Sequence, residues 1–380
     1  MKLADMPEIN LVDVTVEEVE TAVLDCYKDF TGRTPGMADP VRLFLLFESE
    51  VIYRIINKIN YAGRQNLLRT AEGENLDALA ANVCTTRIPA SAAVTTLRIK
   101  LSTARDTATL IPRGTRVSPE NNVYFATSAD LLIPPGETTG DVAATCEQTG
   151  EAGNGYQAGE IAKIVDPIAY VESAVNTTKS EGGSEAETDD ALRERAFEAP
   201  ERFSTAGPSG AYEYHTKSAN ASIDDVCVWS PSPGVVQVCF LLAGGIVPEA
   251  EMLGIVDKAL SAKDVRPLTD KVEVVAPAVV PYDIDVSYYI DGDADAATTQ
   301  KNVAAAVQAY VAWQGARLNR DIDPSELVRR IKAVSGTRHV VVKSPAYTSV
   351  GRDSNKLNPE QRVEVAQANA VSVRMTGRED

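Results

Sequence analysis

Apolar residues recur at helical spacing through the front of the chain and at alternate positions from about Pro89 onward. The pattern predicts helices first and strands after them. Thr15 followed by Glu18 reads as a capping box opening a helix that runs to about Phe30. Gly32, Pro35, Gly36 and Pro40 then break the pattern. A long helix over 41–69 and a short one over 74–83 come next. In the long helix Leu45, Ile52 and Ile59 recur every seven residues, with Phe44, Val51, Ile55 and Ile56 beside them. So broad an apolar stripe needs a second surface to cover it. The first helix offers Val16, Val19, Val23 and Leu24. Periodicity alone favours packing within the chain, and a bundle with another chain stays open.

Residues 95–101 alternate strictly, with Leu97, Ile99 and Leu101 on one face and Thr96, Arg98 and Lys100 on the other, as a half-buried strand does. Further short strands are expected near 115–118, 123–127, 131–133 and 142–146, separated by turns at 112–114, 134–136 and 150–155. Residues 180–187 read as a polar linker. A helix starts near Thr188, where Asp189 and Asp190 suit its N-terminal dipole. A second helix begins after Gly210. A hairpin over 226–229 and 235–242, a helix over 248–262 and a strand over 271–275 come next. The last stretch alternates at Ile284, Val286 and Tyr288 and contains a helix over 296–313. Another helix opens with Asp323 as cap, Pro324 at its first position and Glu326 as capping-box partner. Strands at 338–342 and near the C-terminus finish it. The expected fold is α+β and multidomain. It has an N-terminal helical segment (1–88), a small antiparallel β domain (89–180) and two C-terminal α+β units (181–278 and 279–380).

Charge narrows the partners. The formal net charge is −17, with 44% hydrophobic and 24% charged residues. That is an ordinary folded composition, but it lacks the attraction to phosphate that nucleic acid or an anionic membrane surface would need, so neither is expected as a partner. Cys26, Cys84, Cys146, Cys227 and Cys239 are scattered and odd in number, which fits reduced thiols better than a disulfide scaffold. Cys227 and Cys239 sit where one hairpin can bring them together; in a cytosol such residues stay small and apolar. Residues 1–15 carry no apolar core of a signal peptide. The most apolar stretch, 41–59, is interrupted by Arg42, Glu48, Glu50, Arg54, Asn57 and Lys58, so no membrane span is expected.

Candidate chemistry is sparse. The two histidines, His215 and His339, fall in different expected units, and no catalytic constellation gathers around either. There is no C-x-x-C, no H-E-x-x-H and no phosphate-binding glycine loop. Asp291, Asp293 and Asp295 sit at calcium-loop spacing. Ala296 and Asn302 stand where that loop needs glycine and glutamate, so the segment reads as a solvated turn before a helix. A carboxylate-pair hydrolase acting on cell-wall polymer remains the alternative, with no residue pair pointing to it. A secreted adhesin fits the cysteines poorly. No catalytic residue, metal or cofactor is expected.

Several motifs occur in a telling order. Asp39-Pro40-Val41-Arg42 is followed by Gly63-Arg64-Gln65-Asn66-Leu67-Leu68 and Ala71-Glu72-Gly73-Glu74-Asn75-Leu76-Asp77. Then come Ile111-Pro112-Arg113-Gly114-Thr115, Tyr124-Phe125-Ala126-Thr127, Gly150-Glu151-Ala152-Gly153-Asn154 and Val175-Asn176. The run from Gly182 to Asp190 leads into Leu192-Arg193. Over 36–195 this order resembles the baseplate J family of contractile phage tails and related injection systems. The likeness is moderate over 196–280 and one of pattern beyond. Cys84-Thr85-Thr86 departs from it, since relatives usually carry a glycine there. The resemblance implies a structural, non-enzymatic wedge subunit, found in a virion or phage-tail-like particle and assembled in a host bacterial cytoplasm. It implies a second copy as partner, dimerised through the C-terminal domain within a sixfold ring. It implies an I-type wedge protein bundled with the N-terminal helices, a gp25-like baseplate protein, and hub, spike and sheath neighbours. It implies a role in coupling receptor engagement to sheath contraction. On that basis Leu45, Ile52, Ile55, Ile56 and Ile59 become the expected interface with a partner helix. Segment 41–69 carries five basic residues against Glu48 and Glu50, which suits an acidic partner or, equally, the helix's own dipole.

Overall fold

The structure, a computed structural model, describes residues 9–200, 209–262, 265, 270–351 and 362–379. The chain forms two compact units, Met1–Arg87 with Thr188–Pro200, and Ile88–Glu187 with Glu201–Asp380.

In the first unit α1 (Val16–Thr31) opens with the expected capping box, Thr15 and Glu18 each taking the other's backbone N–H. The helix α2 (Pro40–Arg64) opens with Asp39 accepting the Val41 N–H at 2.9 Å. It stops at Arg64 and not at residue 69. The Thr70 hydroxyl donates to the Arg64 carbonyl, and the Gln65 side chain accepts the Glu72 N–H, so local side chains satisfy the groups a longer helix would have used. The helix α3 (Gly73–Asn82) packs against α4 (Asp189–Glu198): Leu76 and Ala80 share a buried cluster with Ala71, Leu192 and Ala196. Arg87 bridges Asp77 and Asp189 at 2.7 Å each, and Asp189 also accepts the Gly73 N–H. These contacts correct the division expected from sequence: Thr188–Pro200, expected in the third stretch, belongs with the N-terminal helices.

The second unit begins with a strongly curved antiparallel sheet. Its strands are β1 (Ala92–Leu101), β3 (Arg116–Ser118), β4 (Phe125–Thr127), β6 (Thr139–Thr149), β7 (Lys163–Ile164) and β8 (Val171–Asn176), in the order β7-β3-β4-β6-β1-β8. A two-stranded ribbon of β2 (Thr109–Ile111) and β5 (Leu131–Ile133) completes this part of the chain. The alternation read from 95–101 holds: Leu97, Ile99 and Leu101 are buried together with Val117, Phe125 and Ile133. The strands β2, β7 and β8 carry no signal in the sequence pattern. The glycines of 150–155 and 182–183 meet at one junction. The Asn154 side chain donates to the Gly183 carbonyl at 2.7 Å and accepts its N–H at 2.9 Å. A Cβ on Gly183 would fall 2.4 Å from the Gly150 carbonyl oxygen, so backbone meets backbone where a side chain cannot fit.

Next come α5 (Ser209–Ala219), the hairpin β9 (Ile223–Ser232) and β10 (Val235–Leu242), α6 (Ala250–Leu260) and β11 (Lys271–Val275). Antiparallel β9 and parallel β11 flank β10. One sheet face meets the two helices through Val238, Phe240, Met252 and Val256. The other face carries Cys239 and Leu241 against Leu318, Val363 and Val365.

The last part holds β12 (Ala278–Asp291), α7 (Ala296–Gly315), α8 (Pro324–Lys332), β13 (Thr337–Ser344) and β14 (Glu364–Glu379). The sheet order is β13-β12-β14, and β12 pairs with β14 in parallel. Asp323 caps α8 by accepting the Ser325 N–H, as expected. Glu326 does not complete a capping box. Arg329 and Arg330 take its carboxylate at 2.6 and 2.7 Å and hold its pKa down at about 2.

Candidate partner-docking surface

The first unit leaves an unusual amount of apolar surface uncovered. On α2, Leu45, Ser49 and Asn60 are buried, and Tyr53 and Ile56 are half-buried on the same side. Asn60 there clasps the backbone of Val12, accepting its N–H at 2.9 Å and donating to its carbonyl at 2.8 Å. The opposite side carries Phe44, Phe47, Val51, Ile55 and Ile59, spaced three or four residues apart and exposed. Leu43 and Ile52 widen that stripe.

The five residues named from sequence therefore separate. Ile52, Ile55 and Ile59 are 40%, 52% and 49% exposed and stand on the uncovered side. Leu45 is only 7% exposed, and Ile56 is half-buried beside it. Leu45 is thus corrected from an outward residue to one already buried within this chain. Heptad spacing turns a straight α-helix by only about 20° per repeat, so Leu45, Ile52 and Ile59 run along one edge of the stripe, and of the three only Leu45 is buried. Leu43 and Phe47 were missed, although an i−4 extension from Val51 finds Phe47. Among the charged residues of α2, Glu48, Arg54 and Lys58 are exposed and Arg42, Glu50 and Arg64 are half-buried, and Arg54 pairs with Glu50 at 2.7 Å.

The other residues singled out from the sequence have these local contacts. His339 lies on β13 opposite Tyr289, ring to ring at 6.0 Å and edge-on. His215 lies on α5 against Tyr214 at 5.4 Å. Asp295 caps α7 by accepting the Thr298 N–H, and hydrogen bonds from the Thr298 side chain and backbone lower its pKa. Among the described residues, no group of three or more His, Cys, Asp or Glu is placed to hold a metal ion. No helix among them is long and apolar enough to cross a membrane.

The second unit contains a cleft of about 380 Å³ lined by Asn154, Lys179, Glu181, Ser222, Leu242 and Ile246. Its lysine is paired within the chain. Lys179 reaches Glu249 at 2.8 Å and Glu181 at 3.5 Å, and Glu181 also accepts the Glu249 N–H. Burial pushes the Glu181 carboxyl above the ordinary glutamate range. The ionised form is disfavoured in the folded chain, so this site's contribution to stability is full at low pH and is lost as pH rises through the raised pKa. Glu181→Gln cannot ionise and keeps an acceptor for the Glu249 N–H. Thermal melts are expected to show its Tm advantage over the wild type growing as pH rises through that window, then levelling off.

Three family models match in succession: the baseplate J-like protein barrel domain over residues 96–183, the baseplate J-like central domain over 204–276, and the baseplate J-like protein C-terminal domain over 282–373. Together they take in more than half of the chain. The chain belongs to the baseplate J-like family. The barrel match falls on β1 to β8, the central match on the β9–β10–β11 sheet with its helices, and the C-terminal match on β12 to β14 with α7 and α8. Baseplate protein J of Escherichia phage P2 is 35% identical over 164 residues, which are 42% of this chain and 52% of that protein. The chain thus spans about half the length of this curated relative. A chain in the cryo-EM structure of the anti-feeding prophage baseplate aligns over 97% of this chain and 95% of its own, with 11% identity and a TM-score of 0.36.

Proposed function

We propose that this chain is a structural, non-enzymatic wedge subunit of a contractile-tail baseplate, in a phage or phage-tail-like particle. Family membership supports the baseplate setting. The observation that carries the wedge role is the uncovered stripe of α2, an apolar surface of the kind that marks a binding site. Its partner is a helix or helical hairpin of an I-type wedge protein. A second copy joins through the region 280–380, and gp25-like, hub, spike and sheath proteins are the further neighbours. In this reading the subunit couples receptor engagement to sheath contraction, and its assembly takes place in the host cytoplasm.

Co-expression tests both contacts at once. The full chain is expected to co-purify with the I-type protein and to sediment as a complex holding two copies. A chain lacking 280–380 is expected to retain the I-type protein but to sediment with one copy. A truncated chain that still sediments as a dimer overturns the self-association, and failure of the full chain to retain the I-type protein overturns the bundle.

A further inference from the structure

Cys227 and Cys239 face each other across the β9–β10 hairpin as partners in one continuous stretch of antiparallel register, Gln237 opposite Trp229 through Leu241 opposite Asp225. Their side chains leave the sheet on the same face. Cys239 is fully buried in the cluster of Leu241, Leu318, Val363 and Val365, and Cys227 packs partly buried against that cluster. Directly opposed residues hold their Cβ atoms about 4.5–5.5 Å apart, and a disulfide needs about 3.5–4.5 Å. A small approach of two strands closes that difference. The Asn319 side chain donates to the Cys227 sulfur at 3.7 Å, and the neighbouring Leu318 N–H donates to Asp225 at 2.8 Å. The thiols therefore sit where the central sheet meets the segment between α7 and α8. The other three cysteines are elsewhere: Cys146 lies in the barrel core, and Cys26 and Cys84 are exposed.

We propose that Cys227 and Cys239 form a redox-modifiable pair, reduced in a cytosol and closed to a disulfide by an oxidised low-molecular-weight disulfide such as glutathione disulfide. Burial pushes the Cys239 thiol up, so the partly exposed Cys227 attacks first. Its thiolate displaces one glutathione thiolate and forms a mixed disulfide. Cys239 then gives its proton to solvent and attacks the Cys227 sulfur, expelling the second glutathione thiolate. Two protein thiols and one glutathione disulfide thus become one protein disulfide and two glutathiones. The bond pins the hairpin at the point where Asn319 and Leu318 contact it.

The test uses the full chain carrying Cys26→Ser and Cys84→Ser, which removes both exposed thiols. The folded protein is equilibrated with glutathione disulfide, then quenched in denaturant with N-ethylmaleimide, and its intact mass and peptides are read. The expected product carries one maleimide, on Cys146, and a peptide linking Cys227 to Cys239. Three maleimides overturn the proposal, as does glutathione left on Cys227 beside an alkylated Cys239, or any link to Cys146. With Cys239→Ala added, the mixed disulfide on Cys227 is expected to persist; an unmodified Cys227 in that background overturns its role as the attacking thiol.

Discussion

A chain carrying Ile52→Asp together with Ile59→Asp is expected to lose its I-type partner while its folded β domain is unchanged. Both side chains are about half exposed on the uncovered side of α2. In a bundle both become buried. Burying an isoleucine fully contributes about 1.5–3 kcal/mol, and about half of that is still to be gained at each site, so the two losses weaken binding by roughly one to two orders of magnitude. The introduced carboxylates add a desolvation cost with no paired charge. The measurements are partner retention on an affinity column and the thermal melt of the barrel. Intact retention by the double variant sinks the bundle.

The second large effect lies in the barrel core. Phe125→Ala is expected to destabilise the second unit by about 3–5 kcal/mol, read from urea unfolding, because it removes a buried aromatic and leaves a cavity. Phe125 on β4 is fully buried among Leu97, Ile99, Val117 and Ile133, and its ring meets Tyr156 edge-on at 6.1 Å. The edge-on geometry is itself favourable. Leu132→Ala is the control. It stands on the two-stranded ribbon with 61% exposure, and its cost is expected to stay within about 0.5 kcal/mol. Equal effects at the two positions would mean that Phe125 is not a core residue of the barrel.

Local chemistry was legible in the sequence, and long-range chemistry was not. The Thr15–Glu18 box, the Asp323 cap and the alternation of Leu97, Ile99 and Leu101 were readable because each depends on residues within a few positions. Glu326 was misread because two arginines one turn later compete for its carboxylate. The strand β7 is two residues long, too short to show a period. The placement of α4 depends on Leu192 and Ala196 meeting α3 across a hundred residues of barrel, which no local pattern records. The stripe on α2 was legible as a stripe. Which of its residues already had a cover depended on contacts with the rest of the chain, which no spacing along the helix records.

The parallel ladder between β12 and β14 has a consequence for the order in which the chain is made. Thirteen positions of β12 pair along one edge with residues 364–379, and α7, α8 and β13 all intervene. Closing so long a loop costs entropy before the pairing returns anything, and parallel pairing of this kind is intrinsically slow. On a ribosome, β12 and its antiparallel partner β13 emerge first, with one long edge of β12 open to any other extended strand. A polysome carrying many nascent copies places many such edges close together. The last stretch of β14 to emerge is therefore what withdraws the edge from mispairing, and nascent chains halted before residue 364 should aggregate through it.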